Sequence, residues 1–213
     1  MNTLIIANKN YSSWSLRPWL LLRHFGVAFD EVMLELDTPQ FKNDIGKYSP
    51  SARVPALRVG DEVIWDSLAI CETANERWLD GRGWPSDPQA RAAARSASAE
   101  MHSGFTGLRT QLPMNCTRQP NGKHWDKEAE KDIDRVQQLW RNLRSQFGAG
   151  GPFLCGGFSI VDAMYAPVCI RFRGYGVEAD DNAKAYMQTI FAMPAMRDWQ
   201  ASAEAEPARA ESH

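Results

Sequence analysis

The chain has no excess of either charge. Its 213 residues carry 24 Lys and Arg against 26 Asp and Glu, a formal net charge of −2. A protein that tracks nucleic-acid phosphates needs a basic excess, so no nucleic-acid partner is expected. Long apolar runs are missing as well. Stretches such as Leu4 to Ala7 and Trp19 to Leu22 fall far short of the roughly 18 residues that span a bilayer. No membrane segment is expected, and the start of the chain lacks the charged-then-apolar pattern of a leader peptide, which makes the cytoplasm the expected location. The four cysteines, Cys71, Cys116, Cys155 and Cys169, form no CxxC and no cluster with histidine. Neither a metal site nor a disulfide framework follows from that spacing, and all four read as small buried apolar residues. GxGxxG, GxxxxGK[ST], HExxH and GxSxG motifs are all missing. The histidines His24, His102, His124 and His213 fall in no catalytic spacing, and the chain has no internal repeat or low-complexity tract.

What is present is a globular composition, 44% apolar and 23% charged, at a length of one or two domains by a rule of about 150 residues each. The pattern changes character near residue 81. Before it, strands and helices alternate: a strand over Thr3–Ala7, a helix over Ser15–Phe25 stopped by Gly26, and a strand over Val27–Leu36. With Ser15 as N-cap, Pro18 falls in the first turn, where its missing N–H costs little. Thr38–Pro50 is irregular with room for one short helix. Ala56–Val59 and Val63–Trp65 flank Gly60-Asp61, a hairpin signal, and Asp66-Ser67 opens a helix to about Leu79. Gly81–Pro88 reads as a linker. Beyond it the signals are helical: from Asp87-Pro88 to about Leu112, Trp125–Phe147, Ser159 to about Arg171, and two shorter helices over Asp181–Ala192 and Pro194–Ala203. The face Ile133, Val136, Trp140, Leu143 and Phe147 is apolar at helical spacing, and Ser159 with Asp162 forms a capping box. The tail after Glu204 is expected to fray. The expected fold class is α/β plus all-α: a small mixed sheet with helices over residues 1–80, then an all-helical domain over 88–213.

Three local groups of residues carry chemistry. Tyr11-Ser12-Ser13-Trp14-Ser15 sits where the first strand meets the first helix. Hydroxyls there either cap the helix or, with the orphan N–H groups of its first turn, favour a bound anion and depress the pKa of a thiol. Arg53-Val54-Pro55 precedes the hairpin; an X–Pro bond there is either trans, the commoner form, or cis, which leaves the backbone before it open to a ligand. Asp66-Ser67 is either an ordinary cap or a grip for a zwitterion, with the hydroxyl and N–H taking a carboxylate and the Asp taking an ammonium.

Taken in order along the chain, these groups resemble the glutathione transferase superfamily. The matching motifs are Ser12-Ser13, Val54-Pro55, Asp66-Ser67-Leu68-Ala69-Ile70 and Ser159-Ile160-Val161-Asp162. Ser12-Ser13-Trp14-Ser15 is most similar to the zeta class, whose loop reads S-S-C-S, and Gln40-Phe41-Lys42-Asn43-Asp44 is similar to that class too. The resemblance implies a thioredoxin-like N-terminal domain, an all-helical C-terminal domain and glutathione as co-substrate, with no metal. It implies that Ser12, with Ser13 beside it, stabilises the glutathione thiolate. It implies that Val54 pairs its backbone with the cysteinyl part beside cis-Pro55, that Asp66 and Ser67 hold the γ-glutamyl end, and that Gln40 contacts the tripeptide. Trp14 departs from the pattern by standing where the zeta class has cysteine, which bears on that class's isomerisation of maleylacetoacetate. No cysteine lies near the loop, which argues against mixed-disulfide chemistry.

The mechanism expected from the resemblance is attack of the thiolate on a small electrophile held between the two domains. Met101, Phe105, Arg109 and Gln111 are candidates for lining that pocket, and Arg171 and Arg173 for meeting an acidic substrate; core packing and a solvated face are the alternatives. A homodimer is expected from the family. Two other functions stay open: a glutathione-dependent isomerase or lyase of a small acidic metabolite, and a non-catalytic interaction module.

Overall fold

A computed structural model describes residues 1–207; the last six, including His213 and the end of the expected helical domain, lie outside the described residues. The N-terminal half runs β1 (Asn2–Ala7), α1 (Ser13–His24), β2 (Asp30–Leu34), α2 (Pro39–Tyr48), β3 (Ala56–Val59), β4 (Glu62–Trp65) and α3 (Ser67–Arg77). The sheet order is β2-β1-β3-β4. β1 pairs parallel with β2 and antiparallel with β3, and β3 and β4 form the hairpin around Gly60, whose φ of +60° suits the turn. The helical half follows as α4 (Pro88–Ser103), α5 (Thr106–Gln111), α6 (Lys127–Phe147), α7 (Ile160–Tyr175), α8 (Asp181–Ala192) and α9 (Pro194–Glu204). The expected fold class is the one found.

Several boundaries differ from the sequence reading for identifiable reasons. α1 starts two residues early because Ser12, not Ser15, is its N-cap: the Ser12 hydroxyl oxygen accepts the Ser15 N–H. Pro18 therefore falls in the second turn, where it removes the intrahelical donor for the Trp14 carbonyl. β2 is shorter than expected, beginning at Asp30. The irregular stretch after it is a three-turn helix, α2, because Thr38 caps it and Pro39 takes the first position. The single helix expected to reach Leu112 is two. Phe105 adopts φ +59°, and Arg109 folds back to donate to the Gly104 and Met101 carbonyls, so the last turn of α4 is capped by a residue of α5. α7 runs one turn past Arg171, until Gly176 closes it in the left-handed region. The chain is not frayed just after Glu204: the Glu206 carboxylate accepts the Lys9 and Asn10 N–H groups at 2.6 and 3.2 Å.

Packing joins the two halves. α1 lies against α3 on one side and α7 and α9 on the other. Leu16 and Leu20 are fully buried, and Trp19 meets Trp199 edge-on at 5.1 Å. α7 is buried on nearly every face, and its capping box is in place, with Asp162 accepting the Leu154 and Ser159 N–H groups at 3.0 and 2.9 Å. Three cysteines are buried, but Cys155 is half-buried at the rim of the core rather than inside it. Burial holds the Cys116 and Cys155 thiols up at about 12, so neither is a thiolate near neutral pH. Among the described residues no helix is long and apolar enough to cross a membrane, and no group of three His, Cys, Asp or Glu is placed to hold a metal ion.

Candidate functional site

The N-termini of α1 and α3 and the chain before β3 converge on one cavity of about 340 Å³. That volume lies within the small-ligand range of about 300–1,000 Å³. Trp14 forms one wall, Trp65, Asp66 and Ser67 another, and Ser51, Arg53, Val54 and Pro55 the third. The Val54–Pro55 peptide is cis, and the ladder of β3 begins only at Ala56, so Val54 stands outside it.

Asp66 reaches the cavity from a constrained position. Its φ of +77° lies in the left-handed region, which is uncommon for a residue with a side chain. Its side chain offsets that by capping α3: Oδ1 accepts the Leu68 and Ala69 N–H groups at 2.9 and 3.4 Å. Oδ2 meets His102 Nε2 from α4 at 3.1 Å. Ser67, the first helical residue, is buried, and its hydroxyl accepts a long bond from Arg17 Nη1 at 3.4 Å.

Behind Trp14 lies a group of arginines. The Arg17 guanidinium stacks over the indole at 4.2 Å and that of Arg109 at 4.8 Å, while the His102 ring meets it edge-on at 5.3 Å. Arg171, nearly buried, donates to Ser13 Oγ at 3.2 Å and to the Leu112 carbonyl. Burial, with Arg109 and Arg171 nearby, pulls Arg17 down to about 9; burial, with Arg109 nearby, pulls Arg171 to about 10. Both keep their charge at neutral pH. Arg17 is fully buried, and its Nε and Nη2 have no hydrogen-bond partner. Three cations and two helix N-termini therefore surround one loop, an environment that favours a bound anion.

The structure gathers some of the expected residues and separates others. Val54, Pro55, Asp66 and Ser67 share the cavity. Ser12 and Ser13 do not line it: Ser12 is buried as the cap of α1, with its hydroxyl donating to Ser15 Oγ at 2.7 Å, and Ser13 accepts from Arg171. Arg109 and Arg171 join the cluster behind Trp14. Met101 and Phe105 are buried in the core, as the packing alternative had it. Gln40 is exposed on α2 and bonded to Asp44. Gln111 exchanges two hydrogen bonds with Asp126, both at 2.8 Å, and so braces the start of α6. Arg173 borders a different cavity with Cys116 and Glu204, and stacks over Phe191 at 4.2 Å. Sequence reasoning overlooked Arg17 and His102. A lone arginine in the apolar face Leu16, Trp19, Leu20 was a usable signal for Arg17; nothing local marks His102.

The chain has recognisable relatives. The family model for "Glutathione S-transferase, N-terminal domain" matches residues 11–77, and that for "Glutathione S-transferase, C-terminal domain" matches residues 119–199. The chain is 32% identical over 170 residues to a maleylacetoacetate isomerase of Rattus norvegicus, covering 78% of this chain and 76% of that one. It is 27% identical over 191 residues to a stringent starvation protein A homolog of Haemophilus ducreyi, covering 88% and 84%. A glutathione transferase homolog from Burkholderia, solved with bound glutathione, superposes with a TM-score of 0.71 at 19% identity over 96% of this chain and 99% of that one. That structural likeness speaks to the fold alone. With both halves matched and a relative at 32% identity over three quarters of its length, the chain belongs to the glutathione S-transferase family.

Proposed function

We propose that the protein is a glutathione transferase that conjugates the tripeptide to a small electrophile. One observation carries this: a single cavity presents a carboxylate (Asp66), a hydroxyl at a helix N-terminus (Ser67) and backbone outside the sheet ladder (Val54). That set complements a γ-glutamyl peptide. Asp66 takes the ligand ammonium, Ser67 takes the α-carboxylate through its hydroxyl and its own N–H at the start of α3, and Val54 pairs with the cysteinyl unit. The thiol is then held toward the N-terminus of α1, where Ser12 gives up its bond to Ser15 and donates to the thiolate. The sulfur forms its new bond to carbon as the electrophile's leaving group departs with its electron pair. Ser13 and Gln40 remain secondary contacts in this reading. On the acceptor side the proposal rests on Arg109 and Arg171; Phe105 is held in the core, Gln111 is paired with Asp126 and Arg173 borders another cavity. The cytoplasm, a homodimer and a division into residues 1–80 and 88–213 complete the proposal.

A second reading, isomerisation of a small acidic metabolite, is favoured by the rat relative's name and by the arginines behind Trp14. There the sulfur adds to a double bond and leaves again, so glutathione is required but not consumed. Calorimetric titration with reduced glutathione, on wild type and Ser12→Ala, tests the common step. The expected result is binding by both, with the bound thiol ionising at higher pH in the variant. Turnover in the variant should fall by about 10- to 100-fold, as for a lost hydrogen bond to a charged group. No binding at millimolar concentration overturns both readings and leaves a non-catalytic module.

A further inference from the structure

We propose that His102, from the helical half, is a positioning residue for the Asp66 carboxylate, holding it for a ligand ammonium. This rests on the reading of the cavity as a γ-glutamyl site. The carboxylate has distinct duties on its two oxygens: Oδ1 caps α3 through Leu68 and Ala69, while Oδ2 faces His102 Nε2 at 3.1 Å. A carboxylate only accepts, so Nε2 carries the ring proton. His102 Nδ1 is buried and has no hydrogen-bond partner, so a second proton there would be an unsatisfied buried donor. The ring is also held from the side, edge-on to Trp14 at 5.3 Å. His102 thus reaches Asp66 across the domain boundary and lines no part of the cavity itself.

The charges around the ring decide its state. Burial lowers the His102 pKa below 6.5; Asp66 at the start of α3 opposes this, and Arg17 on α1 and Arg109 on α5 reinforce it. The ring is therefore neutral at neutral pH, and the charge of Asp66 stays available to the ligand. In acid, an imidazolium beside the same oxygen becomes a rival cation for the ligand ammonium.

The test is calorimetry on the full chain with two probes, reduced glutathione and its analogue lacking the α-amino group, from mildly acidic to neutral pH. His102→Ala should weaken glutathione about tenfold at neutral pH and leave the deaminated analogue within about twofold. His102→Gln restores a side-chain N–H at similar reach. It should recover most of the affinity while abolishing the acid weakening expected of wild type, and it keeps the test valid if the alanine variant does not fold. Equal losses for both probes, or no loss for either, overturn the role of His102 while leaving the glutathione reading intact. Wild type that takes up neither probe overturns that reading and this inference with it.

Discussion

At the scale of the residue, Trp14 and Arg17 are the least expected pair. Arg17 is fully buried with two unpartnered nitrogens, and the aromatic face at 4.2 Å is its main compensation. A desolvated cation–π contact is worth about 2 kcal/mol or more. Trp14→Ala removes that contact for both Arg17 and Arg109, so a loss of about 2–4 kcal/mol is expected in denaturant titration. Arg17→Met should behave in the opposite way. Burying a charge with no ion-pair partner costs free energy, so an apolar chain of similar volume should leave stability unchanged or raise it. Ser67 would lose its Arg17 contact at the same time, so glutathione affinity should fall while stability holds. A variant that loses stability as well would show that the Trp14 and Ser67 contacts outweigh the cost of burying the charge.

At the scale of the element, the crossing of α5 and α6 sets where Arg109 lies. Gly107 is the point of closest approach: a Cβ there would meet the Ala129 nitrogen and the Glu128 carbonyl carbon at 2.9 Å, both backbone atoms that cannot turn away. Gly107→Ala should push α5 off α6 and cost about 1–3 kcal/mol, as overpacked sites do. Because Arg109 ties α5 back onto the end of α4, the same change should alter turnover of the electrophile more than affinity for glutathione. Steady-state kinetics with each substrate varied in turn separates these effects; a change confined to glutathione affinity would contradict the placement of Arg109 on the acceptor side.

At the scale of the whole molecule, the two halves depend on each other. α1 belongs to the sheet by sequence, yet it buries Leu16, Leu20 and Trp19 within one core that continues through α7 and α9. A fragment ending at residue 80 exposes that face and should show no cooperative melt by circular dichroism. Stability should also depend on pH with a definite sign. Burial holds His24 below its ordinary value of 6.5, as it does His102. The unfolded chain then takes up protons that the folded chain refuses, so stability present above about 6.5 is lost as pH falls through the lowered values. Thermal midpoints measured down the pH scale should decline, and His24→Gln should flatten part of that decline.

What could be read along the chain was what adjacent residues decide. Asp87-Pro88 and the Ser159–Asp162 box are caps made within one turn, and Val54-Pro55 and Asp66-Ser67 needed only their order to point to a family. The missed features need partners far apart in sequence. Ser13 meets Arg171 across 158 positions. His102 acquires a role only when α4 is laid against the start of α3. Short-range hydrogen bonding and hydrophobic spacing are properties of the sequence, so they determined the elements, the fold class and half of the cavity. The cationic cluster and the link between His102 and Asp66 arise from burial and electrostatics, which exist only once the two halves have packed.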